Sequence, residues 1–195
     1  AAGITMQTQA LSSRGLSAIA GLNISNTLNN VVNTFFLTMG IAISIVVGQL
    51  IGAGKLKEAK ETDTKMIVFS LMISLGVSAL LLIAAPLFPR IYNTSGEIRY
   101  LATRFILVYV LATPFNAFTN AAYFTLRSGG KTVMTFIFDC GFIWMVNVPV
   151  AMLLAHFTNL PIVWMFFIIS MLDAIKSIVG FVLVKKGDWL NIIVV

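Results

Sequence analysis

The residues of this chain that could do chemistry are few, and they lie inside long apolar runs. Asn23, Asn26, Asn30 and Asn33 recur at spacings of three, four and three, which places them on one face of a helix. Thr27 and Thr34 flank that face, and Asn29 extends it to one side. Amides in hydrocarbon are costly unless they meet partners or water. Two roles fit such a stripe: hydrogen bonds between helices, worth roughly 0.6–2 kcal/mol each, or the wall of a water-filled cavity. A stripe of four favours the cavity wall over what a single Asn would suggest.

Asp139, Asp173 and Lys176 are the ionisable residues well inside the apolar runs. Such groups mark ion pathways, proton relays or internal pairs. Counting inward from Lys131 and Lys185, Asp139 and Lys176 sit roughly 12–14 Å deep on consecutive antiparallel helices. Asp173 stands three residues before Lys176, within pairing reach on one helix surface. An Asp139–Lys176–Asp173 charge cluster is therefore predicted. It would act either as a salt bridge fixing helix register or as a protonatable or cation-coupled switch. Pro114 and Pro149 each remove a backbone donor and invite a kink. Their polar neighbours Asn116, Asn120 and Asn147 join the candidate cavity lining, because bent helices expose carbonyls at mid-depth in transporters. Kinked helices also occur in membrane proteins without that role.

Hydrolytic and metal chemistry find no support. His156 has no partner at ligand spacing and reads as an interfacial residue; Cys140 is the single cysteine, so neither a disulfide framework nor a thiolate site is expected. There is no HExxH and no GxSxG. Thr125-Leu126-Arg127-Ser128-Gly129-Gly130-Lys131-Thr132 comes near the phosphate-binding GxxxxGK[ST] loop, but Thr125 replaces its first glycine and two apolar helices flank it. The glycines read instead as a tight turn. No catalytic residue, metal site or cofactor is expected, and no nucleic-acid partner.

The elements that must position these residues follow from hydropathy. The 195 residues are 58% hydrophobic and 10% charged, with mean hydropathy +0.95, where a soluble domain carries about 25% charged residues. Crossing a hydrocarbon core of about 30 Å takes roughly 20 apolar helical residues, and five runs reach that length. The expected fold class is an all-α integral membrane protein, a bundle of five full transmembrane helices plus a partial N-terminal one. Its helices are expected at about 16–52, 65–89, 98–127, 131–156 and 160–185, with a partial helix at 1–13 and a tail at 186–195. Residues 1–11 are too short to cross and lack a basic flank, so a signal peptide is a poor reading.

The net charge of +6 sits in the connections. One side holds Lys55, Lys57, Lys60, Lys65, Arg127, Lys131, Lys185 and Lys186; the other holds Arg14, Arg90, Arg99 and Arg104. The richer side is expected to be cytoplasmic, which puts the C-terminus inside. Trp164 and Trp189 then fall at the two ends of the last helix as interfacial anchors. Ser70, Ser74 and Ser78 on one helix, and the Gly48–Gly52 pair on another, are expected to be helix-packing faces.

Several segments have a familiar pattern. Val47-Gly48-Gln49-Leu50-Ile51-Gly52-Ala53-Gly54-Lys55, followed by Glu58-Ala59, resembles the VGQxxGAGxxxxA signature that ends the second helix of a lobe in the MATE (multidrug and toxic compound extrusion) family. Arg14-Gly15-Leu16-Ser17-Ala18-Ile19-Ala20 is similar to the segment entering that helix. Leu126-Arg127-Ser128-Gly129-Gly130-Lys131-Thr132 resembles the LRGxGDT turn, with Lys131 where an acidic residue is common. Trp144 to Pro149 resembles the following W…P helix, and Lys186-Gly187-Asp188-Trp189 the C-terminal end. The resemblance implies one MATE lobe, the C-terminal half of a twelve-helix, multi-pass transporter of a bacterial cell membrane. It further implies alternating-access export of cationic or amphipathic organic compounds by antiport with Na+ or H+. The lipid bilayer and the missing N-terminal lobe would be its partners. Competing readings are a lipid-linked saccharide flippase of the same superfamily, a membrane-embedded enzyme acting on lipids, and a non-catalytic membrane subunit. The net acidic deep cluster disfavours the first of these, which wants a basic cavity for pyrophosphate.

Overall fold

The computed structural model describes residues 2–12 and 15–190. Six helices follow in order: α1 (Ala2–Ser12), α2 (Leu16–Gly52), α3 (Leu56–Leu87), α4 (Gly96–Ser128), α5 (Thr132–Phe157) and α6 (Ile162–Lys186). All but α1 are long and apolar enough to cross a membrane, and no strand occurs among the described residues. The chain is a multi-pass, all-α membrane bundle. Arg14 and residues 191–195 of the expected tail lie outside the described residues.

The helix ends follow local chemistry. α3 starts at Leu56, well before the expected residue 65, because its first turns are charged rather than apolar; Lys55 Nζ donates to Glu58 Oε2 at 3.1 Å and steadies that start. Ser95 caps α4, its Oγ accepting from the Ile98 amide, and Glu97 sits in the first turn, where the helix dipole favours an acid. Gly130 takes φ +72° in the turn from α4 to α5, a backbone region open to glycine at no steric cost.

α4 is the central helix and packs against α2, α3 and α6. Its buried Ala102, Ala112, Ala117, Ala121 and Ala122 let those neighbours come close. Ser70, Ser74 and Ser78 are buried on α3. The Gly48–Gly52 pair, expected to pack, does not: a Cβ at either position would meet open space. The close approaches occur elsewhere, at Gly21 against Ala102, Gly40 against Phe124 and Gly180 against Phe138 and Ala122. Sequence spacing identifies a smooth helix face but not whether another helix lies on it.

Two apolar clusters bracket the bundle. Leu22, Phe105, Met165 and Phe166 belong to one, and Ile43, Val47, Leu126, Phe138 and Trp189 to the other. The polar residues of α2, α4 and α6 fall between them in sequence and in space. Trp189, expected at the membrane interface, is buried at 1% exposure. Gly187 turns with φ +77° and folds the segment back, and the indole Nε1 donates to the Val184 carbonyl at 2.9 Å. A Trp whose N–H is already satisfied loses its reason to stay at a wet interface. Trp164 remains exposed, at 59%.

The two prolines are accommodated differently. α4 continues through Pro114, whose missing amide frees the carbonyl of Val110. Ser78 Oγ of α3 donates to that carbonyl at 3.1 Å. Ahead of Pro149, α5 widens into two π-helical stretches, Ile137–Gly141 and Ile143–Asn147. Such re-registering is one way a membrane helix satisfies carbonyls that a proline leaves free, and π stretches often mark functional sites.

Candidate functional site

Between the two apolar clusters lies a polar cavity of about 490 Å³. α2 contributes Asn29, Asn33 and Leu37; α4 contributes Asn116, Thr119, Asn120 and Tyr123; α5 contributes Asp139, Ile143 and Asn147; α6 contributes Asp173 and Lys176; α1 contributes Gln7. On the widened turns of α5, Asp139, Ile143 and Asn147 stack along the side that faces this space.

The predicted charge cluster divides into a pair and a single carboxylate. Lys176 Nζ reaches across to α5 and donates to Asp139 Oδ1 at 2.6 Å. Its side chain is 9% exposed against 44% for Asp139, and the ammonium also lies 5.3 Å from the centre of the Phe138 ring. The expected Asp173–Lys176 pair along α6 does not form; the ammonium is committed to the facing helix. Among the described residues no ion pair reaches Asp173. Asp173 instead lines both the main cavity and a second of about 100 Å³ with Asn29, Thr113, Asn116 and Ser170.

Neighbouring hydrogen bonds hold these groups in place. Ser177 Oγ lies 3.0 Å from both the Phe115 carbonyl and Thr119 Oγ, and 2.8 Å from the Asp173 carbonyl. It therefore ties α6 to α4 one residue from Lys176. Asn120 Nδ2 donates to Asn116 Oδ1 at 2.9 Å. Two buried polar atoms that belong to this cavity's lining have no partner: Gln7 Nε2, a donor, and Asn147 Oδ1, an acceptor. A buried polar atom without a bond costs about 1–3 kcal/mol, so a site that leaves two of them is built for water or a ligand to complete.

The asparagine stripe is placed only in part at this cavity. Asn33 lines it, as does Asn29 from beside the stripe. Asn26 is engaged elsewhere, its Oδ1 accepting the Tyr109 hydroxyl at 2.6 Å and joining α2 to α4. Asn23 and Asn30 lie on the exposed side of α2. Thr27 and Thr34 bond back to the carbonyls of Asn23 and Asn30. At about 100° per residue Asn23 and Asn30 share one edge of the stripe and Asn26 and Asn33 the other, and only the second edge turns inward.

A further space of about 300 Å³ shares Tyr123 and Asp139 with the main cavity and continues to Arg127 and Cys140 beside the α4–α5 turn. Asp139 thus stands between the cavity and the basic end of the bundle. Sequence reasoning missed two polar residues. Gln7 sits in a short apolar segment with nothing to distinguish it. Asp63, 1% exposed, accepts from Thr125 Oγ1 at 2.5 Å away from the cavity; it lies in the charged start of α3, which reads as a loop. Among the described residues no group of three His, Cys, Asp or Glu could hold a metal ion.

The profile of the MatE family matches residues 5–153. The probable multidrug resistance protein YoeA of Bacillus subtilis is 28% identical over 154 residues, covering 77% of this chain and 33% of that protein. Human multidrug and toxin extrusion protein 1 is 25% identical over 146 residues, covering 73% and 25%. The chain therefore spans about a third or less of the length of these relatives. Among solved structures, a MOP superfamily transporter from Pyrococcus furiosus superposes with TM-score 0.87 at 16% identity, covering 97% of this chain and 42% of that one. An outward-facing multidrug resistance MATE family transporter gives 0.86, covering 97% and 44%. These likenesses concern the fold.

Proposed function

The chain belongs to the MatE family, and from that premise we propose that it is the C-terminal half of a secondary active multidrug efflux transporter rather than an enzyme. Its substrates are cationic or amphipathic organic compounds, exported by alternating access in exchange for Na+ or H+. The observation that carries this reading is the 490 Å³ polar cavity, which holds two carboxylates against one ammonium together with the unpartnered Gln7 and Asn147. An acidic excess in a low-dielectric space attracts cations and disfavours the pyrophosphate that a saccharide flippase would bind. The multidrug resistance and extrusion proteins among its relatives point the same way.

In this reading Asp173 meets the cation, and the Asp139–Lys176 pair is the element that ion binding rearranges. The space beside Tyr123 and Asp139 gives bound ions a way out to the basic end, which lies on the cytoplasmic side of a bacterial membrane. An N-terminal lobe of the same polypeptide supplies the opposite wall, as repeat-built transporters place their sites between halves. The test is ethidium efflux by the full-length transporter in a drug-sensitive bacterium, with Na+ and proton gradients imposed separately. Asp173→Asn is expected to lower efflux at least roughly ten-fold, and Asp139→Asn to uncouple it from the driving ion. Full coupled efflux in both variants would sink the assignment.

A further inference from the structure

α5 has two working sides. Asp139, Ile143 and Asn147 face the polar cavity, whereas Ile137, Phe138, Gly141, Phe142 and Met145 face the opposite way. With Val179 and Leu183 of α6 the second set walls a groove of about 730 Å³ whose length is apolar. This side of α5 looks away from the polar cavity. Ile137 and Met145 are exposed there, at 61% and 80%.

One end of the groove is not apolar. Gly130, Lys131 and Thr132 of the α4–α5 turn close it, and no carboxylate pairs with the Lys131 ammonium among the described residues. From Lys131 to Met145 the groove runs roughly 21 Å at 1.5 Å per residue. One leaflet of a bilayer needs about 15 Å. A cation at the water end of an apolar trough longer than a leaflet matches a molecule with an anionic head and a long hydrocarbon chain.

We propose that this groove is a binding site for an anionic phospholipid, with one acyl chain along α5 and α6 and the phosphate on Lys131. The inference needs only the membrane-spanning bundle and is independent of efflux. Gly141 is the residue that opens the trough. A Cβ there would meet only Ile137, at 3.5 Å, so a larger side chain projects into the groove rather than into packed helix.

The protein containing this chain is purified in mild detergent and titrated with phosphatidylglycerol or phosphatidylcholine, and bound lipids are counted by native mass spectrometry. The first phosphatidylglycerol is expected to be held roughly five-fold more tightly than phosphatidylcholine, the increment of one basic residue at a lipid surface. Lys131→Gln removes that preference, whereas Lys60→Gln, exposed at the same end but outside the groove, leaves it. Gly141→Leu lowers retention of both lipids. If that variant fails to fold, the Lys131 and Lys60 comparison decides alone. Equal retention of the two lipids by the unaltered protein, or an equal fall in both lysine variants, overturns the proposal. So does Met145→Cys, in a Cys140→Ser background, forming disulfide-linked dimers in the bilayer, which would make a second copy the occupant.

Discussion

Lys176 shows how much one residue carries in this bundle. Its ammonium is buried, and its one carboxylate partner is half exposed. Removing one member of a buried pair costs about 3–5 kcal/mol, and water around Asp139 screens part of that. Asp139→Leu is therefore expected to destabilise the protein by roughly 2 kcal/mol, read as a lower melting temperature in detergent. The double change Asp139→Leu with Lys176→Leu should recover most of that stability, because two apolar side chains leave no orphaned charge. Ion-coupled efflux should stay lost in the double variant, which separates a structural role for the pair from a functional one. Thr125 offers a contrast outside the cavity. Thr125→Val strips a buried carboxylate, Asp63, of its hydroxyl donor and is expected to destabilise by about 1–3 kcal/mol. Thr125→Ser, which keeps the donor, should lose only the buried methyl, about 0.8 kcal/mol. Both are measurable in the same melting experiment.

Among the elements, α4 and α5 show two ways of absorbing a proline. In α4 the remedy comes from a neighbour, the Ser78 hydroxyl on the Val110 carbonyl. Ser78→Ala should destabilise by about 0.6 kcal/mol, the average for such bonds in membrane helices. With Pro114→Ala in place the effect should nearly vanish, because the alanine amide satisfies Val110 from within the helix. A double-mutant cycle on unfolding free energies measures the difference, and equal effects in both backgrounds would show that the hydroxyl does not serve that carbonyl. In α5 the remedy is a change of helical pitch, and it turns Asp139 and Asn147 together toward the cavity. The serines on α3 were visible as a spacing of four. That one of them answers a proline on α4 could not be read from either segment, because the bond joins positions 32 residues apart.

For the whole molecule, the return of the C-terminal segment closes the basic end of the bundle. A Cβ at Gly129 would collide with the carbonyl group of Trp189, and backbone cannot move aside as a flexible side chain can. Gly129→Ala is expected to displace Trp189 and loosen the helix end that carries the exposed Lys185 and Lys186, seen as several-fold faster trypsin cleavage there in reconstituted protein. An unchanged digestion pattern would mean that the segment docks without that contact. The sequence alone determined the membrane class and the five spans, because hydropathy and charge placement are properties of segments. It also singled out the family through motifs at turns, where local geometry restricts the choice of residue. Only the tertiary structure decided which groups meet. Lys176 chose Asp139 over Asp173, Asn29 and Asn33 lined the cavity while Asn23 and Asn30 did not, Gln7 joined it unannounced, and Trp189 packed inside the bundle. Each of these outcomes depends on which face of one helix lies against which face of another. That is fixed by packing between segments far apart in the chain, and no periodicity within a single segment encodes it.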